Sequence, residues 1–150
     1  MINAKRSPNY DPSNIRKTQT VSQNIQLVLL AVAVLEIKHF ICDFVIQTAY
    51  QARNKGIYGH PGGILHSGLH AVTSAAVFLV IAPPLWVGVA IVFGEFMLHY
   101  HIDWTKEWVL RRMRWAHPNA QFWRTLGFDQ LLHHLTYLGI VGVLAWVRGF

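Results

Sequence analysis

His39 and Asp43, His66 and His70, His99 and Asp103, and Asp129 and His133 carry the chemistry open to this sequence. The members of each pair stand four residues apart, so on a helix both side chains leave the same face, one turn apart. Four such pairs make four two-ligand claws. Glu36 precedes His39 by three residues and Glu95 precedes His99 by four. The first spacing is similar to the Glu-x-x-His device with which bundle proteins hold paired metals. Neutral imidazole suits zinc, iron and manganese, and carboxylate binds terminally or bridges. The eight paired residues are therefore a candidate ligand set for a divalent metal, either one ion with an outer shell or two ions. Glu36 and Glu95 are candidate general bases. Lys106, three residues after Asp103, pairs with an acid, steers an anionic substrate or snorkels to the membrane surface. The competing reading is a polar network that glues helices together, worth on the order of 1 kcal/mol per contact.

Claws need helices to hold them. Hydrophobic residues make up 53% of the 150 and charged residues 13%, whereas a soluble domain carries about 25% charge. A single domain of this length has little deep interior in which to hide that excess, so it faces lipid. Four runs reach the roughly 20 apolar residues that a transmembrane helix needs: about 25–47, 64–82, 85–103 and 126–147. The reading is an all-α, four-helix transmembrane bundle in up-down-up-down order, within a membrane domain of residues 24–150. A soluble bundle is disfavoured because the second run is apolar nearly all round beyond His70.

The connections fit that order. A glycine-rich linker joins the first two spans, and Pro83-Pro84 makes a tight turn between the next two. In the connection 104–125, Trp104, Trp108, Val109 and Trp115 interleave with Lys106, Arg111, Arg112 and Arg114, which suits a basic helix lying in the interface. Trp86, Trp123 and Trp146 fall at span ends, as in an aromatic belt. Residues 1–23 are polar, with Lys5, Arg6, Arg16, Lys17, Pro8 and Pro12, and read as a disordered basic tail rather than a signal peptide. The net charge of +6 is spread between apolar runs, so it points to membrane lipids and not to nucleic acid.

Depth agrees with spacing. The claws of the first and third spans lie near their C-terminal ends, and those of the second and fourth near their N-terminal ends. In an alternating path all four reach one side of the bilayer. His39-Phe-Ile-Cys-Asp43-Phe also parallels His99-Tyr-His-Ile-Asp103-Trp, which suggests two repeated helical hairpins. Five of the seven acids and seven of the nine histidines lie inside the spans, where charge is costly. Other polar residues carry less. His101 lies on a different face from His99, and His134 adjoins His133, so both read as outer or interfacial groups. His60 and His117 read as loop residues, Gln47 and Gln130 as ligand-orienting groups or helix caps, and the lone Cys42 as packing.

At these residues the sequence resembles the bacterial domain-of-unknown-function 3307 family of small membrane proteins. The matching segments are His39-Phe-Ile-Cys-Asp43-Phe-Val-Ile-Gln47-Thr, Leu65-His66-Ser-Gly-Leu-His70, Glu95-x-x-x-His99-x-x-Ile102-Asp103-x-x-Lys106 and Asp129-Gln130-Leu-Leu-His133. They follow the family order over roughly residues 35–135, with the basic tail and the connection after Lys106 as departures. The family name supplies no reaction. Its histidine and aspartate pattern is similar to that of membrane-bound metal-dependent hydrolases, an analogy of pattern alone.

The leading expectation is a metal-dependent hydrolase acting at the membrane surface on an anionic or lipid-linked substrate. The alternatives are a metal-ion or proton carrier, since intramembrane acids also mark ion pathways, an oxidative diiron enzyme of the histidine-box type, and a non-enzymatic membrane subunit with a buried polar network. The oligomeric state is not legible. Orientation follows from basic residues. The tail side holds Lys5, Arg6, Arg16, Lys17 and Arg148, and the claw side holds Arg53, Lys55, Lys106, Arg111, Arg112, Arg114 and Arg124, most of them near a span. The claw side is therefore expected in the cytoplasm. With Cys42→Ser as background, Ser7→Cys should react with an impermeant thiol reagent on intact cells, and Asn119→Cys should not. The reverse pattern would overturn the assignment.

Overall fold

Short stop signals divide the chain into long helices, and the computed structural model describes residues 12–150 of it. Helix α1 spans Pro12–Phe40 and runs on into one wide π turn, Ile41–Val45, closed by the bond from Ile46 N–H to the Ile41 carbonyl at 3.0 Å. A short α2, Ala49–Asn54, starts at a capping box: Gln51 N–H donates to Thr48 Oγ1 at 3.2 Å, and Thr48 N–H donates to Gln51 Oε1 at 2.8 Å. Helix α3, Pro61–Ser74, has Pro61 in its first turn and His60 as N-cap, whose Nδ1 accepts from Gly62 N–H at 3.0 Å. It tightens into a 3₁₀ stretch, Ala75–Leu79, before the proline pair. Helix α4, Leu85–Met113, ends on Arg114 in the left-handed conformation, and α5, Ala120–Arg148, ends on Gly149 in the same conformation.

Two glycines decide how α2 sits. A Cβ on Gly62 would stand 2.8 Å from Asn54 Cβ, and one on Gly63 would stand 3.2 Å from Lys55 Cα. Without side chains, they let the end of α2 lie directly on α3, which carries Lys55 inward.

The four long helices pack as a bundle with a single inward stripe each. On α5 the buried positions are Asp129, His133, Tyr137, Ile140, Val141 and Leu144; on α4 they include Val87, Ile91, Glu95, His99 and Asp103. These intervals of three and four residues follow one helix face. The stripes are apolar at one end of the bundle, where Ala31, Leu35, Val77, Ile81, Val87, Ile91, Tyr137, Ile140, Val141 and Leu144 make the core. They turn polar at the other. Along α1 and α4 the apolar part comes first, and along α3 and α5 the polar part does, so successive long helices run antiparallel. All four are long and apolar enough to cross a membrane. At 1.5 Å per residue, the 29-residue helices reach about 43 Å, beyond a hydrocarbon layer of roughly 30 Å.

Two expectations change. No separate interfacial helix lies between the third and fourth spans: α4 continues unbroken through Trp104, Lys106, Trp108 and Arg112, leaving only 114–119 as a turn. The physical reason is local, because no glycine or proline interrupts residues 95–113 and Lys, Glu, Leu, Arg and Met are all good helix formers. The expected tail is helical over 12–23, where Thr18 and Thr20 hydroxyls bond back to the Asn14 and Arg16 carbonyls; residues 1–11 lie outside the described part.

Leu35 has no exposed surface and Leu135 is 51% exposed on the outer face of α5. Leu35→Ala should lower stability by about 2–3 kcal/mol through the cavity it leaves, and Leu135→Ala should lie within about 0.5 kcal/mol of wild type. Unfolding of the detergent-purified protein checks both, and equal effects would mean that the inward stripe is misassigned.

Candidate metal centre

The inward stripes deliver the polar residues to one place. Asp43, carried by the π turn of α1, points Oδ1 at two rings of α3: His66 Nε2 at 3.1 Å and His70 Nε2 at 3.2 Å. His99 of α4 brings its Nε2 within 3.4 Å of His66 Nε2 and 3.5 Å of Asp103 Oδ2, and His66 Nε2 lies 3.0 Å from that same oxygen. One ligand atom from each of Asp43, His66, His70 and His99 falls within 4.8 Å of all the others. A second group, His99, Asp103 and His133, meets the same limit and shares His99 with the first.

These distances have a chemical meaning. Atoms bound at 2.0–2.1 Å around a tetrahedral ion stand about 3.3–3.4 Å apart. A protonated ring nitrogen donates one hydrogen bond and a bare one accepts one, yet His66 Nε2 has four polar neighbours within 3.4 Å. His70 Nε2, His133 Nε2, Asp103 Oδ2 and Asp129 Oδ1 are buried without any hydrogen-bond partner. The 3.0 Å approach of His66 to Asp103 Oδ2 is thus close in distance but not aligned as a hydrogen bond. Buried polar atoms are seldom left so. Convergent lone pairs with too few protons between them are what a cation satisfies, so the residues present fit a metal.

The surroundings fix the rings. His39 Nδ1 meets Tyr137 Oη at 2.8 Å, and its Nε2 meets Gln130 Oε1 at 3.2 Å and Asp43 Oδ2 at 3.3 Å. His39 therefore stands behind Asp43, outside both groups. Gln47 Nε2 lies 3.1 Å from His66 Nδ1. Below the rings, buried Lys38 donates to Glu95 Oε1 at 2.6 Å and to the His70 carbonyl at 2.9 Å. Above them, Lys55 reaches Asp103 Oδ1 at 3.2 Å, and Lys106 lies 3.5 Å from that oxygen and 3.4 Å from Asp129 Oδ2. His133 Nε2 stands 3.8 Å from Asp103 and 3.7 Å from Asp129.

The remaining candidates sit elsewhere. Glu36 pairs with His134 Nδ1 at 2.7 Å, both partly exposed and outside the ligand groups. His101 bonds the Met97 carbonyl, His60 caps α3, and the His117 ring packs on Trp123. Sequence reasoning passed over Lys38, Lys55 and Tyr137 as site residues. Lys38 had a signal, a lysine inside an apolar span. Tyr137 had one too, four residues beyond His133 on the same stripe. Lys55 had none, because its position depends on how α2 lies on α3.

No curated protein and no solved structure matches the chain. A match does exist with the family described as a protein of unknown function, DUF3307, over residues 28–148. That span takes in both ligand groups and everything that orients them, and by it the chain belongs to the DUF3307 family.

Proposed function

We propose that the chain is a metal-dependent hydrolase of the bacterial cytoplasmic membrane, holding one divalent ion on Asp43, His66, His70 and His99 and acting on an anionic substrate from the cytoplasmic face. The observation that carries this reading is the convergence of those four ligand atoms, together with buried lone pairs that lack hydrogen bonds. Three imidazoles and a carboxylate suit zinc, with manganese and iron as competitors. Charge supports one ion rather than two. The inward carboxylates of Asp43, Glu95, Asp103 and Asp129 face the ammonium groups of Lys38, Lys55 and Lys106, which leaves one negative charge when the imidazoles are neutral. Lys55 and Lys106 also crowd Asp103 and Asp129, where a second ion would need them.

The ion supplies Lewis acidity, polarising a phosphoryl or acyl oxygen and acidifying water. Asp129, with Oδ1 free of hydrogen bonds, takes the proton as general base; Glu95 and Glu36 are engaged by Lys38 and His134. Lys55 and Lys106 stabilise negative charge that develops beside Asp103. The apolar core beneath the site argues against a carrier, since it offers an ion no relay of ligands. The two-hairpin repeat fits the layout as well: each half gives one His–Asp helix and one further pair, on helices that run in matching directions.

His99→Ala removes the member common to both ligand groups, and Asp43→Asn removes charge at nearly constant shape. Each should lower metal affinity by at least about 100-fold, whereas Asp129→Asn should retain the ion. Metal analysis of detergent-purified protein, expected to give one ion per wild-type chain, reads all three. Wild-type occupancy in Asp43→Asn would sink the assignment. Separately, hydrolysis of a chromogenic phosphodiester should fall about 10²–10⁴-fold in Asp129→Asn if this carboxylate is the base. An unchanged rate would remove it from that role.

A further inference from the structure

The seam between α4 and α5 shares a wall with the candidate centre. A cavity of about 510 Å³ there is lined by apolar Leu98, Ile102, Phe128 and Leu132, and by Lys106 and Arg124. Asp129 lines it too, and the carboxyl group that faces the cavity is the one that touches Lys106 beside Asp103. A second cavity of about 570 Å³ shares Leu98, Ile102 and Leu132 with the first and continues along the same seam past Gly94 and Gly139 to Val143. From Arg124 to Val143 the seam therefore extends about 28 Å at 1.5 Å per residue, close to the roughly 30 Å of a hydrocarbon layer.

Its polarity is graded. The end towards the middle of the bundle has two small glycines and is apolar apart from Thr136 and Glu95, whose Oε1 is paired with Lys38, and the end towards the α4–α5 turn carries two cations. An amphiphile has that same gradient, with a long chain at one end and a charged head at the other. Soluble phosphate would use the cations and leave the apolar length unfilled. A zwitterionic lipid would fill the length but bring its own cation to Lys106 and Arg124.

We infer that this seam is the substrate cradle, binding an anionic lipid phosphate with its chain along α4 and α5 and its phosphate between Lys106 and Arg124, next to Asp129. This deepens the proposed function and rests on it for the role as substrate, while the binding itself is separately measurable. Arg124 offers a planar, two-pronged donor to the phosphate. The chain needs no water-filled route, since both cavities lie between helices long and apolar enough to cross a membrane. A lipid enters sideways from the bilayer.

The test is photolabelling of the full chain in nanodiscs with phosphatidate carrying a diazirine in its acyl chain, against the same phosphatidylcholine. Phosphatidate should label residues of the α4–α5 seam at least about tenfold more than phosphatidylcholine does. Arg124→Gln and Leu132→Trp should each reduce that labelling about tenfold while metal content stays at the wild-type level. Arg124 is exposed, so its variant tests the idea even if the tryptophan disturbs folding. Equal labelling by the two lipids would overturn the inference. So would labelling centred on the apolar α3–α4 groove around Val72 and Phe93, or full competition by inorganic phosphate. Metal measured in the same samples separates the two ideas. Seam labelling of a protein that binds no metal removes the hydrolase reading, and with it the substrate role, while leaving the lipid binding, and bound metal without seam labelling removes this inference alone.

Discussion

Charge inside an apolar bundle must find a partner, and that requirement organises this molecule. An unpaired ion in a low-dielectric interior costs several kcal/mol even after relaxation. Here the partners come from different helices. Lys38 of α1 pairs with Glu95 of α4, Asp43 of α1 faces His66 and His70 of α3, and Lys106 of α4 bridges to Asp129 of α5. Lys106 also lies 3.5 Å from Asp103 of its own helix, but these other pairs cross between helices and couple helix packing to site assembly. Apolar packing at the far end sets where the stripes face, and charge pairing at the near end sets their register.

The layers have different physical roles. The Lys38–Glu95 pair lies at the floor, and the lysine also grips the His70 carbonyl, tying a ligand-bearing turn of α3 to two other helices. At the level of the rings, Gln47 contacts the His66 imidazole, as outer partners orient ligands in metal sites, and Tyr137 and Gln130 hold the His39 ring behind Asp43. The upper layer is cationic, and it faces the side where substrate would arrive. A polar network meant only to glue helices would close its own hydrogen bonds. This one leaves lone pairs of His70, His133, Asp103 and Asp129 open.

Much of this was legible in the sequence, for reasons that are physical. A spacing of four residues reports a helix face directly, so the claws on α1, α3, α4 and α5 could be read, as could their common depth from the alternation of long apolar runs. The basic stretch after Asp103 misled because its charge suggested that the chain leaves its path, whereas helix continuity depends on breakers and none is present. The shift also changes what the cations mean. Lys106 and Lys55 count as connection charges in a linear reading, yet Lys55 is buried and Lys106 half-buried, both against Asp103. Periodicity reports faces within one helix and says nothing about which loop folds over them.

Lys55 shows how far that limit reaches. It sits at the C-cap of the six-residue α2, outside every candidate span. It arrives at Asp103 because Gly62 and Gly63 let backbone pack on backbone, where a Cβ at either position would meet Asn54 or Lys55 itself. Two residues with no side chain thereby govern the electrostatics of the site more than many polar ones do. A ligand set drawn from the long helices alone would leave Asp103 facing His66, His99 and His133 with only Lys106 to balance it. The connecting segment thus completes the centre, and it does so from outside the candidate membrane spans.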